Sequence, residues 1–162
     1  MSVRAARAAS PAPALSSSFT RGFAARLQKF ATKVEKETEE TFRGVVIELF
    51  SSIIADTPVD EGRARGNWQT TANSPASGTV DRLDNTGPVG SISAQETGQA
   101  IAQLAQTHFK IGDTAWLVNN LPYIGRLEYD HWSGQAPHGM VRKNIARVDQ
   151  IMKDVVAGVV KP

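Results

Sequence analysis

Apolar residues recur along this chain with two different periods, and the places where the period changes mark out its elements. From Phe19 they fall at 19, 23, 27, 30 and 34, then at 42, 45, 46, 49, 50, 53 and 54, a helical spacing interrupted by one polar gap. Ser18 is placed to cap the start, and Asp56-Thr57-Pro58-Val59-Asp60 supplies the stop, because the residue before a proline avoids helical geometry. A helix over 19–55 would be about 55 Å long at about 1.5 Å per residue. Such a helix either reaches past the core to meet a neighbour or breaks near Thr38 to Thr41, where no apolar side chain holds it. Lys33 and Lys36 stand one helical turn before Glu37 and Glu40, a spacing that lets the gap stay helical in solvent. At the other end Val141, Ile145, Val148, Met152, Val155 and Val159 form an amphipathic stripe that predicts a long terminal helix.

Between these helices the pattern shortens. Asp60-Glu61-Gly62 reads as a turn, and 66–72 as a strand with Trp68 and Thr70 on one face. Residues 73–92 are rich in Ser, Pro, Gly, Asn and Thr, and predict a long loop of the kind that is usually functional or mobile. Ser93 to Glu96 has capping-box spacing for a short helix with Ala100, Ile101, Leu104 and Ala105 on its apolar face. His108–Ile111 and Thr114–Asn119 alternate like strands, with Gly112-Asp113 as a hairpin turn. Leu121, Ile124 and Leu127 predict one or two helical turns after Pro122, and 134–137 breaks the chain again. No internal repeat is present. The fold class this pattern implies is α+β: a small, mostly antiparallel sheet flanked by a long N-terminal helix and a long C-terminal helix. Its organisation is a flexible arm, 1–18, followed by a single domain over 19–162.

Charge changes this picture at one end. Residues 1–36 carry seven basic side chains against Glu35, a formal +6, which leaves −4 for the rest of a chain whose total is +2. The arm is therefore either a solvated basic tail or an element that lies against an acidic surface. The absence of cysteine excludes a disulfide scaffold and a thiolate metal site and fits a reducing compartment. No apolar run approaches the roughly 20 residues that cross a bilayer, so no membrane partner is expected. The first 18 residues lack the leucine-rich middle of a secretory signal.

The candidate chemistry is thin. His131 and His138 share a loop without the spacing that presents two imidazoles to one ion, and His108 lies far from both in sequence, so local hydrogen bonding is the better expectation. Asp56, Asp60 and Glu61, or Glu128 and Asp130, lack a neighbouring partner that would bring a carboxyl toward neutrality. Arg63 and Arg65 are expected to pair with Asp60 and Glu61 in a turn-stabilising cluster. Residues 62–66 hold two glycines but not the lysine of a phosphate loop. The densest segment is 115–142, where Tyr123, Tyr129, Trp132 and Arg126 gather. Core filling by Tyr123 and Trp132 is the first expectation, a protein interface the second, and base stacking the last, since Glu128 and Asp130 repel phosphates.

Three blocks give the chain a resemblance. Residues 57–68 (TPVDEGRARGNW), Asn119 to Tyr129 (NNLPYIGRLEY) and 136–142 (APHGMVR) resemble, in this order, the tail-completion or neck protein family of long-tailed bacteriophages, the likeness covering 42–160. Asp130 stands where that family usually has glycine, and the arm exceeds its shorter members. The resemblance implies a non-enzymatic virion protein without catalytic, cofactor or metal residues, assembled in the bacterial host cytoplasm and located at the head–tail junction. It implies a homo-oligomeric ring, often of six copies, acting as tail terminator or neck subunit. Its partners would be itself, the tail tube protein that it caps, and the head–tail connector or stopper protein, with genome DNA passing through without sequence-specific recognition. The residues carried over as interface and structural determinants are Asp60, Gly62, Arg63, Trp68, Asn120, Pro122, Tyr123, Glu128, Tyr129, Gly139 and Arg142, with 73–92 and the arm as partner-facing elements. The alternative is a nucleic-acid-binding protein that uses the basic arm.

Overall fold

The computed structural model describes residues 17–85, 89–90 and 99–158. The chain divides into two units, Met1–Lys36 and Glu37–Pro162. The first contributes the opening turns of helix α1, which runs from Ser17 to Ala55 without a break at Thr38–Thr41. There Thr41 returns its hydroxyl to the Glu37 carbonyl at 2.9 Å, one turn back, which satisfies the hydroxyl within the helix.

The second unit holds the end of α1, α2 (Arg63–Gly66), β1 (Gln69–Ala72), α3 (Gln99–Gln106), β2 (Ala115–Val118), α4 (Ile124–Tyr129), α5 (Val141–Ile145) and α6 (Val148–Val156). The architecture is α+β, with a two-stranded antiparallel sheet in which Gln69 faces Val118 and Ala72 faces Ala115. Helix α1 turns Val46, Phe50, Ile53 and Ile54 inward, the helical period of the sequence, and Phe50 meets Phe109 edge to face at 6.5 Å between ring centroids. Ala100 and Leu104 of α3, Trp68, Leu121, Leu127 and Met140 complete this core.

Two expected elements take another form. His108–Ile111 is no strand: Phe109 is buried, Ile111 lies in solvent, and β2 pairs with β1 instead. The turn expected at Gly112-Asp113 forms one residue earlier, at Ile111-Gly112, and a polar bracket joins it to the other strand. Asn73, in the left-handed region at φ 66°, gives its amide to Asp113 Oδ1 at 2.8 Å and accepts the Thr114 amide at 3.0 Å. Asp113 also takes the Lys110 amide at 2.8 Å, and the hydrogen bond from Asn73, followed by that from Lys110, holds its carboxyl below the usual range. The terminal helix is two helices, since the chain turns at Ala146-Arg147. The buried stripe is Asn144, Ile151 and Val155, which leaves Ile145, Met152 and Val156 exposed. The expected opening of α3 at Ser93–Glu96, the 1–16 part of the arm and Val159 lie outside the described residues.

The chain leaves α1 through a buried hydrogen-bonded turn. Thr57, fully buried, donates its hydroxyl to the Ile53 carbonyl at 2.9 Å and accepts the Trp68 indole N–H at 2.7 Å. Replacing Thr57 by Val keeps the shape but strands the indole donor, which costs about 1–3 kcal/mol. Equilibrium urea unfolding of Thr57→Val should show that loss, and Thr57→Ser should recover most of it.

Candidate functional site

Helix α5 has five residues and no side-chain cap of its own, so its opening amides need an acceptor from elsewhere. Glu128, near the end of α4, supplies it. Its carboxylate accepts the backbone N–H groups of Met140 at 2.8 Å, Val141 at 2.9 Å and Arg142 at 2.9 Å, and the Arg142 Nε at 3.2 Å. The Arg142 guanidinium also donates to the Glu128 carbonyl and lies over the Tyr129 ring, 4.9 Å from its centroid. Burial alone would raise the Glu128 pKa. The three amides and Arg142 outweigh it, and the carboxyl stays below its ordinary range. Gly139 makes the approach possible: at φ 73°, a Cβ there would sit 2.6 Å from Glu128 Oε1.

The same helix is held along its side. Asn144, fully buried, and Lys143 donate to the two oxygens of Asp56 at 2.8 and 2.9 Å, tying α5 to the end of α1. Opposite, Arg65 is buried and turns its guanidinium to the carbonyls of Ala55 (3.2 Å) and Thr57 (3.4 Å), the unsatisfied acceptors that follow a helix. Burial lowers its pKa, and the nearby Asp84 carboxylate opposes that. Arg63 faces Asp81 at 4.0 Å. The expected pairing of Arg63 and Arg65 with Asp60 and Glu61 is therefore replaced: the helix-end carbonyls and the 81–84 segment compete better for the guanidinium groups. Asp60 and Glu61 stay exposed.

The loop after β1 is stitched down by side chains. Asn67 exchanges two hydrogen bonds with the Val80 backbone, at 2.7 and 3.0 Å, in the manner of a ladder rung. Gln69 donates to Gly78 (3.0 Å), and Asn120 to Gly78 (2.8 Å) and Ala76 (3.2 Å). Arg82 reaches the carbonyls of Gly66 and Trp68 and the Gln103 side chain. Gly62, at φ 83°, lets Asp84 approach so closely that a Cβ would lie 2.4 Å from its carbonyl carbon. The described part of the loop, 73–85, is thus fixed against 62–69.

The first two sequence blocks meet at one cleft, and the third is tied to the second through Glu128. Gln135 exchanges hydrogen bonds with both backbone groups of Val59, at 2.8 and 2.9 Å, which brings the 131–137 loop onto the 57–62 turn. Between them opens a cleft of about 340 Å³, with Leu127, Tyr123 and Trp132 as apolar walls and Asp60, Glu61 and Arg63 along its edge. Tyr123 and Trp132 contact edge to face at 6.1 Å, and Arg126 lies over the Trp132 ring at 5.7 Å. Trp132 is 59 % exposed and Tyr129 62 %, so the expectation that Trp132 fills the core is corrected. Two exposed cation–aromatic pairs result, Arg126 over Trp132 at the cleft and Arg142 over Tyr129 at the end of α4, with Tyr123 half-buried against Trp132.

Of the residues singled out from sequence, Gly62, Trp68, Asn120, Glu128, Gly139 and Arg142 hold the backbone together, while Asp60, Arg63, Tyr123, Tyr129 and exposed Pro122 line or edge the surface. His131 bonds the Pro137 carbonyl from a positive-φ position, and among the described residues no group of three His, Asp or Glu converges to hold an ion. Sequence reasoning missed Asn67, Arg82, Gln135 and Asn144. Each acts on backbone or side chains far along the chain, and none has a local signature. Compared with protein-family models, curated proteins and solved structures, the chain matches none.

Because the Glu128 pKa is lowered by folding, the stability it contributes is complete above the unfolded value of about 4.3 and is lost as pH falls through the folded value. Glu128→Gln should cost about 2 kcal/mol or more at pH 7, the scale of hydrogen bonds to a charged group. Urea midpoints followed from pH 6 downward should fall less steeply for the variant than for the parent, if acid loss is centred on this carboxyl. Gly139→Ala should destabilise by more than about 2 kcal/mol, since it adds left-handed strain to the clash. Gly134→Ala, where an added Cβ meets nothing within 4 Å, should stay within about 0.5 kcal/mol in the same assay.

Proposed function

We propose that this protein is a non-enzymatic structural subunit of the neck of a long-tailed bacteriophage, assembling as a ring at the head–tail junction. In this reading it caps the tail tube protein, meets the head connector or stopper, and surrounds a channel through which DNA passes without base recognition. The single observation that carries the reading is that the first two resembling blocks meet at one cleft while the third is bound to the second through Glu128 and Arg142, with Trp132 and Tyr129 left facing solvent. Tyr, Trp and Arg are enriched among the residues that dominate interface energies, Tyr and Trp because they bury much area with little loss of conformational freedom. Here they are already positioned, Trp132 by Tyr123 and Arg126, and Tyr129 by Arg142.

A ring also needs a second, unlike surface on each subunit, since a head-to-tail contact joins different patches. Helix α6 offers one in Met152 and Val156, which face away from the core on a short exposed apolar strip beside Asp149 and Lys153. The strip differs in composition from the aromatic surface, and two unlike surfaces favour head-to-tail association over a self-complementary dimer.

Replacing Tyr129 and Trp132 together by Ala should alter monomer stability by about 1 kcal/mol at most, because both are exposed. It should weaken self-association, or capture by purified tail tubes, by roughly thirtyfold or more, the scale of two interface anchors. Sedimentation velocity and electron micrographs of decorated tubes would read this out. A double variant that assembles as well as its parent, or a parent that never decorates tube ends, would sink the proposal.

A further inference from the structure

The cleft between the 58–64 turn and the 123–135 segment has apolar walls and an acidic lip. Asp60 and Glu61 stand exposed on that lip, and neither has an ion-pair partner among the described residues. Of the two cations near that rim, Arg63 is turned toward Asp81 and Arg126 lies over the Trp132 ring. A groove of this composition fits a basic amphipathic segment, whose apolar side chains cover Trp132 and Tyr123 while its cations face Asp60 and Glu61.

The chain contains such a segment. Residues 1–36 have a formal charge of +6 against −4 for the remainder, and from Ser17 onward they are helical. Phe19, Phe23, Leu27 and Phe30 recur there at helical spacing, with Arg21 and Arg26 among them. We propose that the cleft is the acceptor for residues 17–36 of a second copy of this chain. This inference rests on the ring reading and names the contact that would join neighbours. Each copy carries one donor segment and one acceptor cleft, so the contact is heterologous and repeats around a closed ring. Opposite net charges of the two parts would speed and orient the encounter and weaken it at high salt.

The absence of cysteine allows a clean test. One preparation of the full chain carries Ala24→Cys and another Ser133→Cys, a residue of the cleft wall. They are mixed and treated with a short bismaleimide. The expected result is a mixed dimer several-fold more abundant than either homodimer, and lost at about 1 M salt. Adding Asp60→Asn and Glu61→Gln to the Ser133→Cys copy should lower its yield roughly tenfold, the scale of two exposed charge contacts. Circular dichroism melts check that each copy folds, and Arg63→Cys provides a second acceptor position on the same rim. Rings or decorated tubes without the mixed product would overturn the arm contact and leave the ring reading standing. The mixed product in a protein that forms pairs only, even with tubes, would support the contact and overturn the ring. Equal yields of mixed and homodimeric products would overturn the contact.

Discussion

Three consecutive backbone amides converge on one carboxylate at Glu128, and the placement of the exposed surface depends on that contact. An uncapped helix of five residues has little stability of its own, because nucleation fixes several dihedral angles for the return of very few hydrogen bonds. With the carboxylate in place, α5 begins where α4 ends, and the 130–139 loop between them is closed at both ends. Arg142 then serves twice, neutralising Glu128 and bracing the Tyr129 ring. The exposed pair of Arg142 and Tyr129 is therefore an outgrowth of a buried electrostatic cap. Its ring can face water because it is not asked to hold the fold.

The rest of the unit uses the same economy of regular structure. Two four-residue strands cannot organise more than a hundred residues by ladder hydrogen bonds alone. Side-chain amides and guanidinium groups take over that role. Asn67 on Val80 and Gln135 on Val59 each satisfy a backbone donor and acceptor together, which is what a neighbouring strand would do. Arg65 and Arg82 gather carbonyls that would otherwise be left without donors. Burial lowers the pKa of both arginines, and the single Asp84 carboxylate between them offsets part of that cost.

This division explains which features the sequence discloses. Helix α1 was legible because its inward residues 46, 50, 53 and 54 are all apolar and obey one period. Leu121 and Leu127 around α4 were legible for the same reason, whereas the strand expected over 66–72 begins only at Gln69, after the helical turn 63–66, and buries Gln69 as well as Thr70. The last helix misled because its buried stripe opens with a polar residue: Asn144 points inward to reach Asp56, and the apolar Ile145 is left outside. His108–Ile111 misled because strand-like alternation says nothing about partners, and the bracket of Asn73 and Asp113 gave β2 to β1. At the site, Glu128, Gly139 and Arg142 could be singled out together only through the resemblance, since residues 11 to 14 positions apart across a loop leave no periodic trace. Asn67, Arg82 and Gln135 left none at all.

The exposed aromatic groups acquire meaning from this contrast. Tyr and Trp left in water by chance have loose rotamers and mixed surroundings, and ordering them on binding carries an entropic cost. Trp132 instead leans on Tyr123 and Arg126, and Tyr129 lies under Arg142, whose own position is set by the Glu128 cap. The ordering has largely been done by the fold, so a partner that covers these rings gains their apolar area with less entropy lost. A surface with that property binds firmly for its size. That property fits the proposed ring, in which each contact between neighbours would be small and repetition would hold the whole.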